Sequence, residues 1–117
     1  ITLNENAKIP SFCNSLPELD HNEIVGWTKN MGSFSIIFLR DKDDLPRIKK
    51  RMDLTAELLR LQHLPIDFVE IQGENSLEKI FWAFSFSNWL AYHLALFYGI
   101  DPTPVEMVEE LKKRLKE

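Results

Sequence analysis

The sequence holds one cysteine, four glycines and no excess of positive charge, and each shortage removes a class of function. A lone Cys13 cannot form an internal disulfide and fits a reducing compartment, so a cytoplasmic location is expected. The glycines build no phosphate-cradling loop, and neither a GxSxG elbow nor a CxxC pair is present. Lys plus Arg is 14 against 18 for Asp plus Glu, giving a net charge of −4 and a pI near 5.4. Phosphate backbones are bound by basic faces, so nucleic acid is not an expected partner. The chain opens at Ile1 with neither a basic leader nor a signal-type apolar core, and no signal peptide is expected.

What is present is ordinary for a globular chain: 117 residues, 44% apolar and 27% charged, enough for one domain spanning residues 1–117. Residues 1–32 are the least regular. Asn4–Lys8 reads as one helical turn stopped by Pro10, and Glu18–Trp27 as a short helix with Asp20 at its cap, Glu23 closing a capping box and Gly26 helping to end it. Ser33–Leu39 is short, β-branched and aromatic, which predicts a buried strand. Leu45, Ile48, Met52, Thr55, Leu58, Leu59 and Gln62 then recur at helical spacing, and His63-Leu64-Pro65 ends that helix. Ile66–Ile71 reads as a second strand. Strand, amphipathic helix, strand is a βαβ unit, which implies parallel pairing and a right-handed crossover.

From Asn75, with Glu78 completing another capping box, a helix is predicted to run to Tyr98 and stop at Gly99. Ile80–Tyr98 is apolar on every side except for Ser85, Ser87, Asn88 and His93, which share no face. A helix of this kind is enclosed by protein or spans a membrane. Its length is near the spanning minimum of about 20 residues, but the scattered polar groups favour burial and no membrane span is expected. Two parallel strands cannot enclose it, since parallel sheets are covered on both faces and contain more strands. Further strands are therefore expected from elsewhere in the polypeptide or from a partner chain. The last segment places Thr103 at an N-cap, Pro104 at the first helical position and Glu106 at the third, with Val105, Val108, Leu111 and Leu115 as its apolar edge. Acidic Glu106, Glu109 and Glu110 precede basic Lys112, Lys113 and Arg114, the order the helix dipole prefers.

The groups able to do chemistry are few. Glu18, Asp20, His21 and Glu23 carry metal-ligating atoms, but their spacing matches no zinc pattern and capping already explains Asp20 and Glu23, so no metal is expected. His21 is a solvated turn residue or a general acid/base, since an ordinary histidine titrates near neutrality. Glu5 is a surface carboxylate or, if burial tunes it, a base. His63 at a helix end and His93 within the apolar helix have structural explanations.

Asn4-Glu5-Asn6-Ala7-Lys8, followed after a short polar gap by Pro17-Glu18-Leu19-Asp20-His21-Asn22-Glu23-Ile24-Val25-Gly26-Trp27, resembles the bifunctional phosphoglucose/phosphomannose isomerase family, which is built from two sugar isomerase (SIS) domains. The closing pattern resembles the same family: strand, amphipathic helix, strand, long apolar helix, Asp101-Pro102-Thr103-Pro104 and a terminal helix with Leu111-Lys112. The resemblance implies an α/β fold, a three-layer α/β/α SIS domain of flavodoxin-like layering with a parallel sheet, of which this chain is the C-terminal portion. It implies aldose–ketose isomerisation of a phosphosugar through a cis-enediolate, without a metal or organic cofactor. Glu5 matches the base that moves a proton between C1 and C2. His21 matches a residue that assists ring opening and reaches the site from the neighbouring subunit, so a homodimer is implied. Lys112 matches a lysine serving ring opening and charge stabilisation, with Lys113 the alternative in register. Thr103 matches a threonine that leaves room for both C2 epimers.

The sequence also departs from the family pattern. The Ser/Thr-rich loops that hold the phosphate belong to the first SIS domain, and nothing here corresponds to them; the strands preceding ENAK are absent as well. Without that clamp, substrate positioning is lost, and the chain alone is expected to be inactive. The rival readings are a non-catalytic SIS module that binds a phosphosugar for regulation, and a structural interaction domain whose apolar helix docks a partner.

Overall fold

The computed structural model describes residues 1–29 and 32–116; Asn30 and Met31, in the irregular N-terminal stretch, and Glu117 lie outside the described residues. The chain divides into two compact units, one of residues 13–79 and one of residues 1–12 with 80–117.

The first unit holds the expected βαβ. Strand β1 (Ile36–Arg40), helix α3 (Pro46–Arg60) and strand β2 (Ile66–Glu70) follow in order, and the two strands pair in parallel. The fold class is therefore α/β with a parallel sheet. The register sets Ile36 opposite Ile66, Phe38 opposite Phe68 and Arg40 opposite Glu70. Side chains alternate across a strand, so these pairs share one face, and α3 covers it. Phe38, Met52, Ala56, Leu59 and Leu64 form the buried cluster, with Ile36, Ile66 and Phe68 packed against it. The Phe38 and Phe68 rings stack with centroids 5.3 Å apart. On the opposite face, Ile37 and Leu39 are 42% and 48% exposed. One face of the strand is thus apolar and open among the described residues.

Helix α3 begins with Leu45 at the N-cap and Pro46 in its first turn, where a missing N–H costs nothing. Its buried positions are Met52, Thr55, Ala56 and Leu59; Leu58 and Leu45, expected on the inner face, are 54% and 70% exposed, and Ala56 sits inside instead. Positions 56 and 58 lie about 200° apart around a helix, so burying Ala56 turns Leu58 outward. Leu59 is 2% exposed, and Leu59→Ala is expected to lower the unfolding free energy by about 2–5 kcal/mol, measured by urea denaturation. His63, at φ +61, turns the chain out of the helix.

The N-terminal half of this unit differs from expectation. Instead of one helix over 18–27, a 3-10 turn (Glu18–Asp20) and a one-turn helix α2 (Glu23–Gly26) form, neither with a side-chain cap. The capping box fails because its carboxylates are engaged elsewhere. Asp20 accepts from Arg51 Nη1 at 3.0 Å and from Thr55 Oγ1 at 2.9 Å, while Glu23 accepts from Asn14 Nδ2 at 2.7 Å.

Helix α4 (Ser76–Phe97) starts as predicted. Asn75 Oδ1 accepts the Glu78 N–H at 3.0 Å, and the Glu78 carboxylate accepts from the Glu74 N–H and the Asn75 side-chain amide. Gly73 precedes it at φ +134, where a Cβ would lie 2.7 Å from the Lys79 nitrogen, so no side chain fits there. Lys79 bonds Asp41 at 2.6 Å and also Asp43, fastening the start of α4 to the loop after β1. That hydrogen bond holds the Asp41 carboxyl below its ordinary value and the Lys79 ammonium above its own.

The second unit contains the rest of α4, helix α1 (Thr2–Glu5) and helix α5 (Glu106–Arg114). Helix α1 lies two residues earlier than expected. Gly99, at φ +67, closes α4 with the Ile100 N–H on Ala95 O at 2.8 Å and its own N–H on Leu96 O at 3.0 Å, a Schellman ending. Ser87 and Asn88 satisfy themselves by donating back to Phe84 O. Within α4 only Ala91 and Ala95 are fully buried, while Phe81, Phe84 and Trp89 are more than half exposed. Among the described residues no helix is long and apolar enough to cross a membrane. Helix α5 carries Glu106 and Glu109 in its first turn and Lys112, Lys113 and Arg114 in its last, as its dipole favours. Its N-cap is Val105 and not Thr103, because Asp101 Oδ1 takes the Thr103 N–H at 2.9 Å and holds that residue in a turn.

Candidate active site

Glu5 is the last residue of α1 and is exposed. Its carboxylate makes no hydrogen bond or ion pair among the described residues, whereas its neighbours are committed. Asn4 closes the following loop: Nδ2 donates to Ser11 O and Oγ at 2.8 Å, and Oδ1 accepts the Ser11 N–H at 2.9 Å. Ala7 is fully buried. Lys8 donates to Glu5 O at 2.5 Å, to Pro104 O at 2.5 Å and to Pro102 O at 3.4 Å. The backbone of the Glu5 turn and that of the Thr103 turn are thereby joined inside one unit.

Thr103 is exposed, and Asp101 is its partner through both the backbone N–H and the hydroxyl. The backbone bond from Thr103 is the main cause holding the Asp101 carboxyl below its ordinary value, with the hydroxyl bond next and the nearby Lys8 charge adding to it. Lys112 stands on the exposed last turn of α5 and pairs with Glu109 Oε1 at 2.8 Å. It reaches no carboxylate of α1 among the described residues. Lys113 carries no ion pair among them.

His21 belongs to the other unit. It follows the 3-10 turn, donates its backbone N–H to Glu18 O at 3.0 Å, and holds Nδ1 3.8 Å from Glu18 Oε1. Its side chain is 74% exposed. The segment is anchored next door by Asp20, whose side chain is only 12% exposed and which grips Arg51 and Thr55 on α3. An open groove of about 600 Å³ lies beside it, lined by Asp20, Ile24, Arg47, Arg51, Leu54 and Leu58. No group of three or more His, Cys, Asp or Glu side chains converges as a metal site among the described residues.

The residues that sequence reasoning missed here are Lys8, Asp20 and Asp101, which hold the candidate groups in place. Lys8 stood inside the ENAK motif as an unremarked surface lysine, and its acceptors lie 94 and 96 positions away, so no local signal marks it. Asp20 had a local explanation as a cap, which proved wrong, and Asp101 stood only as part of the Asp101-Pro102-Thr103-Pro104 stretch, with no role of its own.

The model of the bacterial phospho-glucose isomerase C-terminal SIS domain matches residues 1–115. The bifunctional phosphoglucose/phosphomannose isomerase of Aquifex aeolicus is 32% identical over 116 residues, 97% of this chain and 36% of the relative. The protein of the same name from Caldicellulosiruptor bescii is 34% identical over 116 residues, covering 97% and 34%. That of Thermoplasma volcanium is 32% identical over 112 residues, covering 96% and 36%. The chain thus spans about a third of the length of the curated relatives it matches. No solved structure matches it. Both its parallel α/β fold and the match over residues 1–115 place the chain in the bacterial phospho-glucose isomerase C-terminal SIS domain family.

Proposed function

We propose that this chain is the C-terminal SIS portion of a phosphosugar isomerase that interconverts glucose 6-phosphate, and mannose 6-phosphate, with fructose 6-phosphate. The observation that carries the reading is the family match over residues 1–115, which takes in the segments around Glu5, His21, Thr103 and Lys112. In this reading Glu5 removes the proton from C2 of the open-chain aldose. The electron pair left behind forms the C1=C2 bond of a cis-enediolate, negative charge moves to O1, and the proton on O2 passes to O1. Glu5 then returns its proton to C1, giving the ketose. A carboxylate with no partner among the described residues is suited to taking and returning one proton.

Lys112 supplies positive charge beside the developing oxyanion, where a fixed cation lowers the barrier most. It must leave Glu109 to do so. His21, its Nδ1 3.8 Å from Glu18 Oε1, assists opening of the sugar ring from a neighbouring subunit. Thr103 borders C2 and accommodates both epimers. The phosphate is bound outside this chain, by the SIS domain that precedes it in the full polypeptide. The bare faces of the sheet and of α4 are the surfaces that further strands and a second subunit would cover.

The test is an assay of the full polypeptide beside this 117-residue chain for conversion of fructose 6-phosphate to each aldose phosphate. Turnover to both products by the full polypeptide and none by the chain is expected. A folded full polypeptide that converts neither overturns the isomerase reading and favours phosphosugar binding for regulation.

A further inference from the structure

We propose that Lys8 is a positioning residue for Glu5, tying the end of α1 to the Asp101–Pro104 turn through its ammonium group. The inference rests on the reading of Glu5 as the base. An ammonium has three N–H donors and no acceptor. Lys8 has three carbonyl acceptors, Glu5 O at 2.5 Å, Pro104 O at 2.5 Å and Pro102 O at 3.4 Å. Its donors are therefore spent on the backbone, which argues against a direct role on the substrate.

The acceptors are unusual in their stiffness. Pro102 and Pro104 have φ fixed by their rings, and Thr103 between them is held by Asp101, so the two carbonyls belong to one rigid turn. On the other side, the carbonyl that Lys8 holds is that of Glu5 itself. Helix α1 is only four residues long and lacks a side-chain N-cap, so its own hydrogen bonds fix the end poorly. Lys8 sits at φ +55, a left-handed backbone that disfavours a residue with a Cβ by about 1–2 kcal/mol. That conformation persists where the side chain is bonded on two segments at once. The effect is to couple the residue proposed to move the proton to the turn proposed to border C2. Displacing a reacting group by about 1 Å costs on the order of 100-fold in rate, so such a tether governs kcat without touching substrate.

Lys8→Met in the full polypeptide is the test, read by steady-state kinetics and thermal melting. The proposal expects kcat to fall by about 10–100-fold with KM within about threefold. It also expects the same substitution to cost less than about threefold in a Glu5→Gln background, where no base remains to be positioned. A raised KM with kcat preserved would make Lys8 a substrate ligand and overturn the proposal. So would an unchanged kcat, or an equal loss in both backgrounds. Should Lys8→Met melt below the assay temperature, Lys8→Arg and Lys8→Gln decide. Arg keeps cationic donors within reach and is expected to retain at least about a third of kcat, Gln to lose about tenfold, and the reverse order overturns the role. An inactive unmodified polypeptide overturns the isomerase reading together with this role, whereas an active one indifferent to Lys8→Met overturns the role alone.

Discussion

Glu5→Gln in the full polypeptide is expected to lower kcat for fructose 6-phosphate isomerisation by about 10²–10⁴-fold, the range typical of losing a positioned general base. Binding of the sugar phosphate, followed by calorimetry, should stay within about threefold, because in the proposed reading the phosphate is held outside this chain. The melting temperature should not move. The Glu5 carboxylate is exposed and bonds nothing among the described residues, so the isosteric amide removes a proton acceptor and no structural contact. This separates Glu5 from Asn4, Ala7 and Lys8, whose replacement disturbs the loop that presents it. A variant that keeps more than a third of wild-type turnover would remove Glu5 from the chemistry. A variant that loses binding as well as turnover would make it a substrate ligand.

The parts of the fold legible in the sequence are those whose physics is local. The β-branched, aromatic run of β1, the 3.6-residue spacing in α3 and the Asn75/Glu78 box of α4 each depend on residues within a few positions of one another, and each element forms, β1 beginning at Ile36 and not at Ser33. The errors lie where a capping group had a competitor for its hydrogen bonds, distant for Asp20 and two residues away for Thr103. Asp20 has the sequence of a cap, but Arg51 and Thr55, 31 and 35 residues away, take both its oxygens. Thr103 has the sequence of a cap, but Asp101 turns its N–H aside and the helix waits for Val105. Periodicity could not foresee that Ala56 would sit inside α3 and Leu58 outside, because the helix rotation is set by the sheet it meets.

The same division runs through the candidate site. Glu5 and His21 were visible as members of spaced motifs, and both stand exposed and presented, Glu5 at the end of α1 and His21 after the 3-10 turn. What fixes them was invisible: Lys8 spans 94 and 96 residues to its carbonyls, and Asp20 locks the His21 segment onto α3. Lys112 stands apart, since the ion pair to Glu109 must break before it can serve an oxyanion; at 59% and 63% exposure such a pair is weak enough to break readily.

The other large effect follows from the proposal that His21 acts from a second subunit. His21→Ala is expected to reduce turnover of the ring-closed sugar by about 10²-fold, as for loss of a general acid. Mixing decides where it acts. Let one polypeptide carry Glu5→Gln and the other His21→Ala, each with its own affinity tag, and let the mixed dimer be isolated from coexpressing cells. If each site takes Glu5 from one subunit and His21 from the other, one site of the mixed dimer is fully wild type and the other doubly defective. Turnover should then return to about half the wild-type value per dimer, although both parents are nearly inactive. If both groups act within one subunit, each site of the mixed dimer lacks one of them and no activity returns. The exposure of His21, 74% at the side chain, makes the first outcome the expected one, because a general acid left open to water in its own subunit becomes effective when a partner covers it.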